Sequence, residues 1–62
     1  MGDKVKVTVI EEGVHPGDIR TIAVLELPRV PLKGEYLMIK NQRYKIIRVE
    51  FQDNGEVTVE VG

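Results

Sequence analysis

Residues Leu37 to Phe51 constrain the fold of this chain more than any other stretch. Two runs rich in β-branched and aromatic residues flank a polar centre at Lys40 to Arg43, a pattern typical of a β-hairpin. In the second run the apolar alternation shifts by one residue at Ile46-Ile47. Such a shift would move side chains to the opposite face of a sheet, so it predicts a bulge or a sharp coil at the point where the sheet bends towards closure.

Three further segments read as short strands. Lys4 to Ile10 and Glu56 to Val61 alternate apolar and polar residues, which predicts half-buried strands. In the segment Arg20 to Leu27, both faces of the expected strand carry apolar residues near its start. Two interpretations stay open there: curvature buries both faces of the strand, or the pair Ile22 and Val24 is exposed and meets another chain.

The connections contain residues that favour particular turns. Pro16-Gly17 predicts a type II turn, and Asn54-Gly55 predicts a type I′ turn that folds the fourth strand onto the fifth. The link Asn41-Gln42 in the central hairpin is not the favoured Asn-Gly pair, so its geometry is left open. Pro28 to Glu35 predicts a stiff extended crossover, because Pro28 and Pro31 lack backbone donors.

Five strands in 62 residues predict one all-β domain spanning residues 1–62, a small five-stranded antiparallel barrel that is closed or half-closed. Closure removes the free edges that a valine-rich open sheet would present. The predicted core collects the inward-facing positions of the strands: Val5, Val7, Val9, Leu25, Leu27, Leu37, Ile39, Tyr44, Ile47, Val49, Val57 and Val59.

The composition argues against catalysis and cofactors. The chain has no cysteine and no serine, and His15 is its only histidine, so it lacks a nucleophile with its base and a set of zinc ligands. We therefore expect no catalytic, cofactor-binding or metal-binding residues, and no enzyme activity. No apolar run approaches the ~20 residues of a membrane helix, and the polar start is unlike a signal peptide. We expect a cytoplasmic protein without a membrane partner.

Charge is distributed unevenly along the chain. The net charge is −1, but six basic residues against Glu35 alone give +5 over residues 29–48, and four acidic residues give −4 over residues 49–62. One interpretation is that basic and acidic strands pair across the sheet. The other is that the asymmetry marks a binding face.

Two functions follow from the binding interpretation. The first is a non-catalytic protein-interaction or assembly module that associates with itself, with the candidate interface residues Ile22, Val24, Arg43 and Lys45. The alternative is a nucleic-acid-binding barrel, in which basic groups attract phosphate and an aromatic ring stacks on bases. Its candidate contacts lie in the central hairpin: Lys40, Arg43, Tyr44, Lys45 and Arg48.

A short pattern in this chain resembles one found in other proteins. Leu27-Pro28, Pro31 and Gly34-Glu35 precede a hairpin centred on Tyr44. In this it looks like small uncharacterised β-barrel proteins of bacteria and phages, and its strand spacing is similar to that of SH3-like barrels. The resemblance covers roughly residues 20–61. It implies a barrel and supplies no catalytic residues.

Overall fold

A computed structural model describes residues 3–13, 15 and 17–62. It confirms the all-β class, and the described residues form no helix. The five strands are β1 (Val5–Glu12), β2 (Ile19–Leu27), β3 (Tyr36–Ile39), β4 (Gln42–Phe51) and β5 (Val57–Val61). Every predicted strand is present, with ends that differ by one or two residues from those expected.

The strands form one curled, half-barrel sheet in the order β2-β1-β5-β4-β3. Neighbours pair antiparallel except β1 and β5, which run parallel. The prediction of an antiparallel barrel is therefore wrong for this central pair. The sheet consists of a hairpin (β1-β2) and a meander (β3-β4-β5), and they join through the two valine-rich strands, which bury the most apolar surface when they lie side by side in the centre.

The core lies on the concave face of the sheet. Its buried apolar residues come mainly from the central strands: Val7, Val9, Ile39, Ile46, Val57, Val59 and Val61. Six other residues predicted to be in the core are half-buried against this cluster: Val5, Leu25, Leu27, Leu37, Tyr44 and Val49. The prediction of Ile47 as a core residue is wrong, because Ile47 is 42% exposed and its neighbour Ile46 is fully buried.

The shift in alternation at Ile46-Ile47 corresponds to a bulge in β4, and this bulge explains the error at Ile47. Ile46 lies opposite Val61 and Arg48 lies opposite Glu60, so Ile47 is an extra residue without a partner on β5. The side chains of β4 that face the core therefore include Ile46 before the bulge and Val49 after it. The extra residue leaves the ladder and turns towards solvent.

The structure defines the turn whose geometry the sequence left open, and it corrects the type predicted for another. Lys40 and Asn41 have φ values of 50° and 67°, so they are the two central residues of a type I′ turn between β3 and β4. At Asn54-Gly55 only Gly55 has positive φ, and its N–H donates to Gln52 O at 3.1 Å. This is a type I turn followed by a glycine bulge rather than the predicted type I′ turn. The predicted turn at Pro16-Gly17 depends on Pro16, which lies outside the described residues.

The two isoleucines at the bulge provide a matched test of the core. Ile46→Ala removes a fully buried side chain, so we expect it to lower the free energy of unfolding by about 2–4 kcal/mol. Ile47→Ala removes a partly exposed one and should lower it by less than about 1 kcal/mol. Urea unfolding of both variants measures the difference. Equal losses would contradict the position of the bulge.

The type I′ turn predicts opposite effects for two lysine substitutions. Lys40→Gly should raise the free energy of unfolding by about 0.5–1 kcal/mol, since glycine relieves the strain of positive φ. Lys33→Gly is the matched control at a residue without positive φ, where added flexibility of the unfolded chain should destabilise the fold. Thermal unfolding at high salt separates these effects from the lost charge, and a loss of stability for both variants would contradict the turn geometry.

Candidate functional site

The two outermost strands of the sheet have free edges. β2 pairs only with β1 and β3 pairs only with β4, and the two strands do not pair with each other in the part of the chain that the structure describes. The ladder directions place β3 antiparallel to β2. A free edge presents unpaired backbone N–H and C=O groups, so each is a potential docking strand.

The β3 edge carries an aromatic and basic surface that we call the β3 edge patch: Tyr36, Met38, Arg43 and Lys45. Tyr36 lies opposite Lys45 and Met38 lies opposite Arg43, on the convex face of the sheet. Tyr36 is 56% exposed and Met38 is 67% exposed. The guanidinium carbon of Arg43 lies 4.8 Å from the Tyr36 ring centroid, a cation–π contact that holds the two side chains together.

The backbone of β3 also faces the open edge. Ile46 N–H donates to Glu35 O at 2.8 Å, so the carbonyl of Glu35 points towards β4. Because successive residues of a strand direct their backbone groups to opposite sides, Tyr36 and Met38 direct theirs away from β4. The exposed residues of the patch therefore also hold its free hydrogen-bonding groups.

The β2 edge is apolar and acidic, and we call Val24 and Glu26 the β2 edge patch. Val24 is 54% exposed and Glu26 is exposed on the same convex face. Ile22 differs from the expectation of an exposed pair: it is half-buried, at a shift in register where Val9 pairs with Ala23 but Ile10 pairs with Thr21. The bulge separates the regular segment that holds this patch, residues 23–27, from residues 19–21.

Ion pairs neutralise the centre of the sheet and leave its ends charged. The described pairs are Lys6–Glu56, Arg20–Glu11, Arg29–Glu35, and Arg48 with both Glu50 and Glu60. Among described residues, the cations without such a partner near the β3 end are Lys33, Lys40, Arg43 and Lys45. The corresponding carboxylates near the β2 end are Glu12, Asp18 and Glu26. The sheet is therefore dipolar across its width, basic at one edge and acidic at the other.

The structure separates the candidate nucleic-acid contacts. Arg43 and Lys45 share the convex face, and Lys40 lies in the adjoining turn. Tyr44 lies on the concave face, half-buried, and its hydroxyl donates to Gln42 Oε1 at 2.6 Å. Arg48 Nη2 lies 2.7 Å from Glu60 Oε1. The aromatic ring beside Arg43 and Lys45 is thus Tyr36, which is not among the candidate contacts predicted from the sequence.

The candidate protein-interface residues also divide into two groups. Ile22 and Val24 lie on β2, whereas Arg43 and Lys45 lie on β4 beside the opposite edge. One copy of the chain does not bring the two groups into one surface. Met38 was missed because the apolar run Leu37-Met38-Ile39 gave no sign that its central residue faces solvent.

The crossover between β2 and β3 is held by Glu35. Its carboxylate accepts bonds from Arg29 Nη1 at 3.0 Å and Nη2 at 2.7 Å, and from Leu32 N–H at 2.7 Å. Glu35 N–H donates to Leu32 O at 3.0 Å, and Gly34 has a φ of 92°, which closes a type II turn. The bonds from Arg29 and Leu32 lower the pKa of Glu35 from 4.5 to about 2.

A separate apolar groove lies between the crossover and β4. Leu32 and Phe51, which are 62% and 72% exposed, line it together with Ile47. Phe51 is therefore an exposed apolar side chain remote from both edge patches, which makes it a useful control for them.

Other kinds of site are absent from the described residues. No group of three or more His, Cys, Asp or Glu residues is placed there to hold a metal ion. No helix in those residues has the length and apolar character needed to cross a membrane. The exposed His15 lies at a turn, where its carbonyl oxygen accepts a bond from Asp18 N–H at 3.1 Å.

The low pKa of Glu35 predicts an acid-sensitive crossover. Because this pKa is lower in the folded chain, ionised Glu35 stabilises the fold above pH about 4.5, and its contribution is lost as the pH falls towards about 2. Glu35→Gln should therefore lower the urea midpoint at pH 7, and its difference from the wild type should shrink between these pH values. Arg29→Gln should show the same trend. A difference that stays constant with pH would contradict it.

Comparison with known proteins supplies no relative from which a site could be transferred. No protein-family model, curated protein or solved structure matches this chain. The two edge patches and the charges around them are the features of this chain that point to a function.

Proposed function

We propose that this protein is a non-catalytic interaction or assembly module that associates with itself through the edges of its sheet. The observation that carries the proposal is that both outer strands combine free backbone groups with exposed apolar side chains, Val24 on β2 and Tyr36 and Met38 on β3. Extended edges of this kind bind by adding a strand, in which backbone bonds give affinity and side chains give specificity.

The small size of the core supports the same proposal. Seven apolar residues are buried among the described ones, and the chain contains no cysteine. A domain this short buries only about 60% of the surface that its unfolded chain exposes. Self-association is one of the few remaining ways to add buried surface and to pair the free edges.

The proposal also covers the type of barrel and the location of the protein in the cell. Leu27 at the end of β2 and Leu37 in β3 line one groove, so the curl brings the two edges near each other at one end, as expected of an SH3-like barrel that is incompletely closed. The parallel β1–β5 pair is a departure from the antiparallel expectation. A cytoplasmic location agrees with the absence of cysteine.

Binding of nucleic acid is the second candidate, and one observation favours it. Arg43, Lys45 and Tyr36 lie together on an exposed convex face, where cations can contact phosphates and the ring can stack on a base. The Tyr36 ring already carries the Arg43 guanidinium on one face, and the nearby Arg48 is neutralised by Glu50 and Glu60. We therefore favour a protein partner.

Light scattering during gel filtration tests self-association. We expect a molar mass above that of the 7.0 kDa chain, rising with protein concentration. Val24→Ser and Met38→Ser should each lower this mass because each removes apolar surface from an edge patch. Phe51→Ser is the matched control and should leave it unchanged.

Two results would contradict the proposal. A 7.0 kDa species at all concentrations would exclude self-association, and a loss of association only in Phe51→Ser would move the interface to the crossover groove. If the chain is monomeric, titration with labelled single-stranded DNA at two salt concentrations tests the second candidate. Binding that weakens in Arg43→Gln and Lys45→Gln would support it.

A further inference from the structure

We infer that copies of this chain join head to tail, with the β3 edge patch of one copy against the β2 edge patch of the next. This inference rests on the proposed self-association and specifies its geometry. Three independent features of the two edges carry it: their direction, the positions of their free backbone groups, and their charge.

The strand directions suit this arrangement. β3 runs parallel to β1 and therefore antiparallel to β2. A second copy whose β2 edge meets the β3 edge of the first would thus continue the curled sheet with an antiparallel β3–β2 pair. Antiparallel pairs form well-aligned hydrogen bonds between strands, and neither copy has to turn over.

The free backbone groups of the two edges have matching spacing. Gly13 N–H donates to Asp18 O at 2.6 Å, so along β1 Gly13 and every second residue before it face β2. The backbone groups of Thr8 and Lys6 therefore point away from β2. Their partners Val24 and Glu26 form no backbone hydrogen bonds with them, so the backbone groups of Val24 and Glu26 point to the open edge. On β3 the corresponding residues are Met38 and Tyr36.

One register joins these residues. It places Val24 opposite Met38 and Glu26 opposite Tyr36, with all four side chains on the convex face and all four sets of backbone groups directed into the new ladder. Val24 and Met38 then cover each other's exposed apolar surface. Lys45 is the partner of Tyr36 on β4, one strand beyond Glu26's new neighbour, so its long side chain can extend along the convex face past Tyr36 towards Glu26.

Charge favours this pairing over symmetric ones. The described ion pairs do not include Glu26, and its neighbour Lys6 is engaged by Glu56 at 3.2 Å. Arg43 and Lys45 are likewise outside those pairs. A two-fold β3–β3 contact would bring the cations of two β3 edge patches together, and a β2–β2 contact would leave Glu26 without a cation, whereas the head-to-tail contact joins opposite charges.

This contact does not use the same surface on both copies. An open assembly of any length therefore keeps one free β2 edge patch at one end and one free β3 edge patch at the other, so growth continues until a ring closes or a filament forms. Val24 lies at one end of the sheet, and Arg43 and Lys45 lie near the other. Each contact brings these candidate interface residues onto one continuous surface, with β3 between them.

A charge exchange tests the inference. Glu26→Lys alters the β2 edge patch, and the double variant Arg43→Glu with Lys45→Glu alters the β3 edge patch. Each variant alone should associate at least about tenfold more weakly than the wild type, because like charges then meet at every contact. An equimolar mixture should recover association, since the native β3 edge of the first variant meets the native β2 edge of the second. Light scattering and sedimentation velocity measure both effects.

Matched variants control for net charge. Asp53→Lys has the same net charge as Glu26→Lys, and Lys4→Glu with Lys33→Glu has the same net charge as the double variant, but these residues lie outside both edge patches. They should associate like the wild type. Circular dichroism checks that each variant is folded, and if the double variant does not fold, Lys45→Glu alone replaces it in the mixture.

The outcomes separate the inference from the proposed function. If the wild type associates but the mixture stays dissociated, or if the edge variants associate as the controls do, head-to-tail joining is wrong and self-association stands. If the wild type is a monomer at every concentration, both are wrong. Recovery in the mixture alone, with dissociation of each variant by itself, supports the inference.

Discussion

The parallel pairing of β1 with β5 is the contact on which the rest of the structure depends. It brings together the strands that contribute Val7, Val9, Val57 and Val59, which are at most 2% exposed. Because β1 and β5 pair with each other inside the sheet, β2, the hairpin partner of β1, and β3, the strand of the meander farthest from β5, are the two outermost strands. The same contact that buries the core therefore creates the two free edges.

Much of the fold could be predicted because strands and turns depend on patterns of residues that are close together in the sequence. Alternation located β1 and β5, runs of apolar and β-branched residues located the other three strands, and the shift in alternation at Ile46-Ile47 located the bulge in β4. The pattern did not show which isoleucine leaves the ladder, since that depends on the register against β5. Nor did it show the parallel β1–β5 pair, because these strands are far apart in sequence and alternation carries no information on direction.

The candidate site was less predictable for a related reason. Residue type identified Val24, Arg43 and Lys45, but their distribution over two edges follows from strand order. Tyr36 and Met38 lie beside apolar neighbours in the sequence. Their exposure in the structure shows that their side chains face solvent, and the hydrogen bond from Ile46 N–H to Glu35 O shows that their backbone groups point to the open edge. The residual charge at each edge also required the structure, because Arg48 and Lys6 are neutralised by carboxylates on other strands.

The bulge at Ile22 has a consequence for how selectively such a sheet can bind. A long, flat edge strand accepts almost any extended chain, which is the usual route to amyloid. Here the bulge at Ile22 divides β2 into a regular segment of three residues, 19–21, and one of five, 23–27. In the proposed head-to-tail contact the partner strand must fit within one such segment, and β3, with four residues, fits within the longer one. The irregularity thus acts as a length filter, protecting an exposed edge from indiscriminate growth.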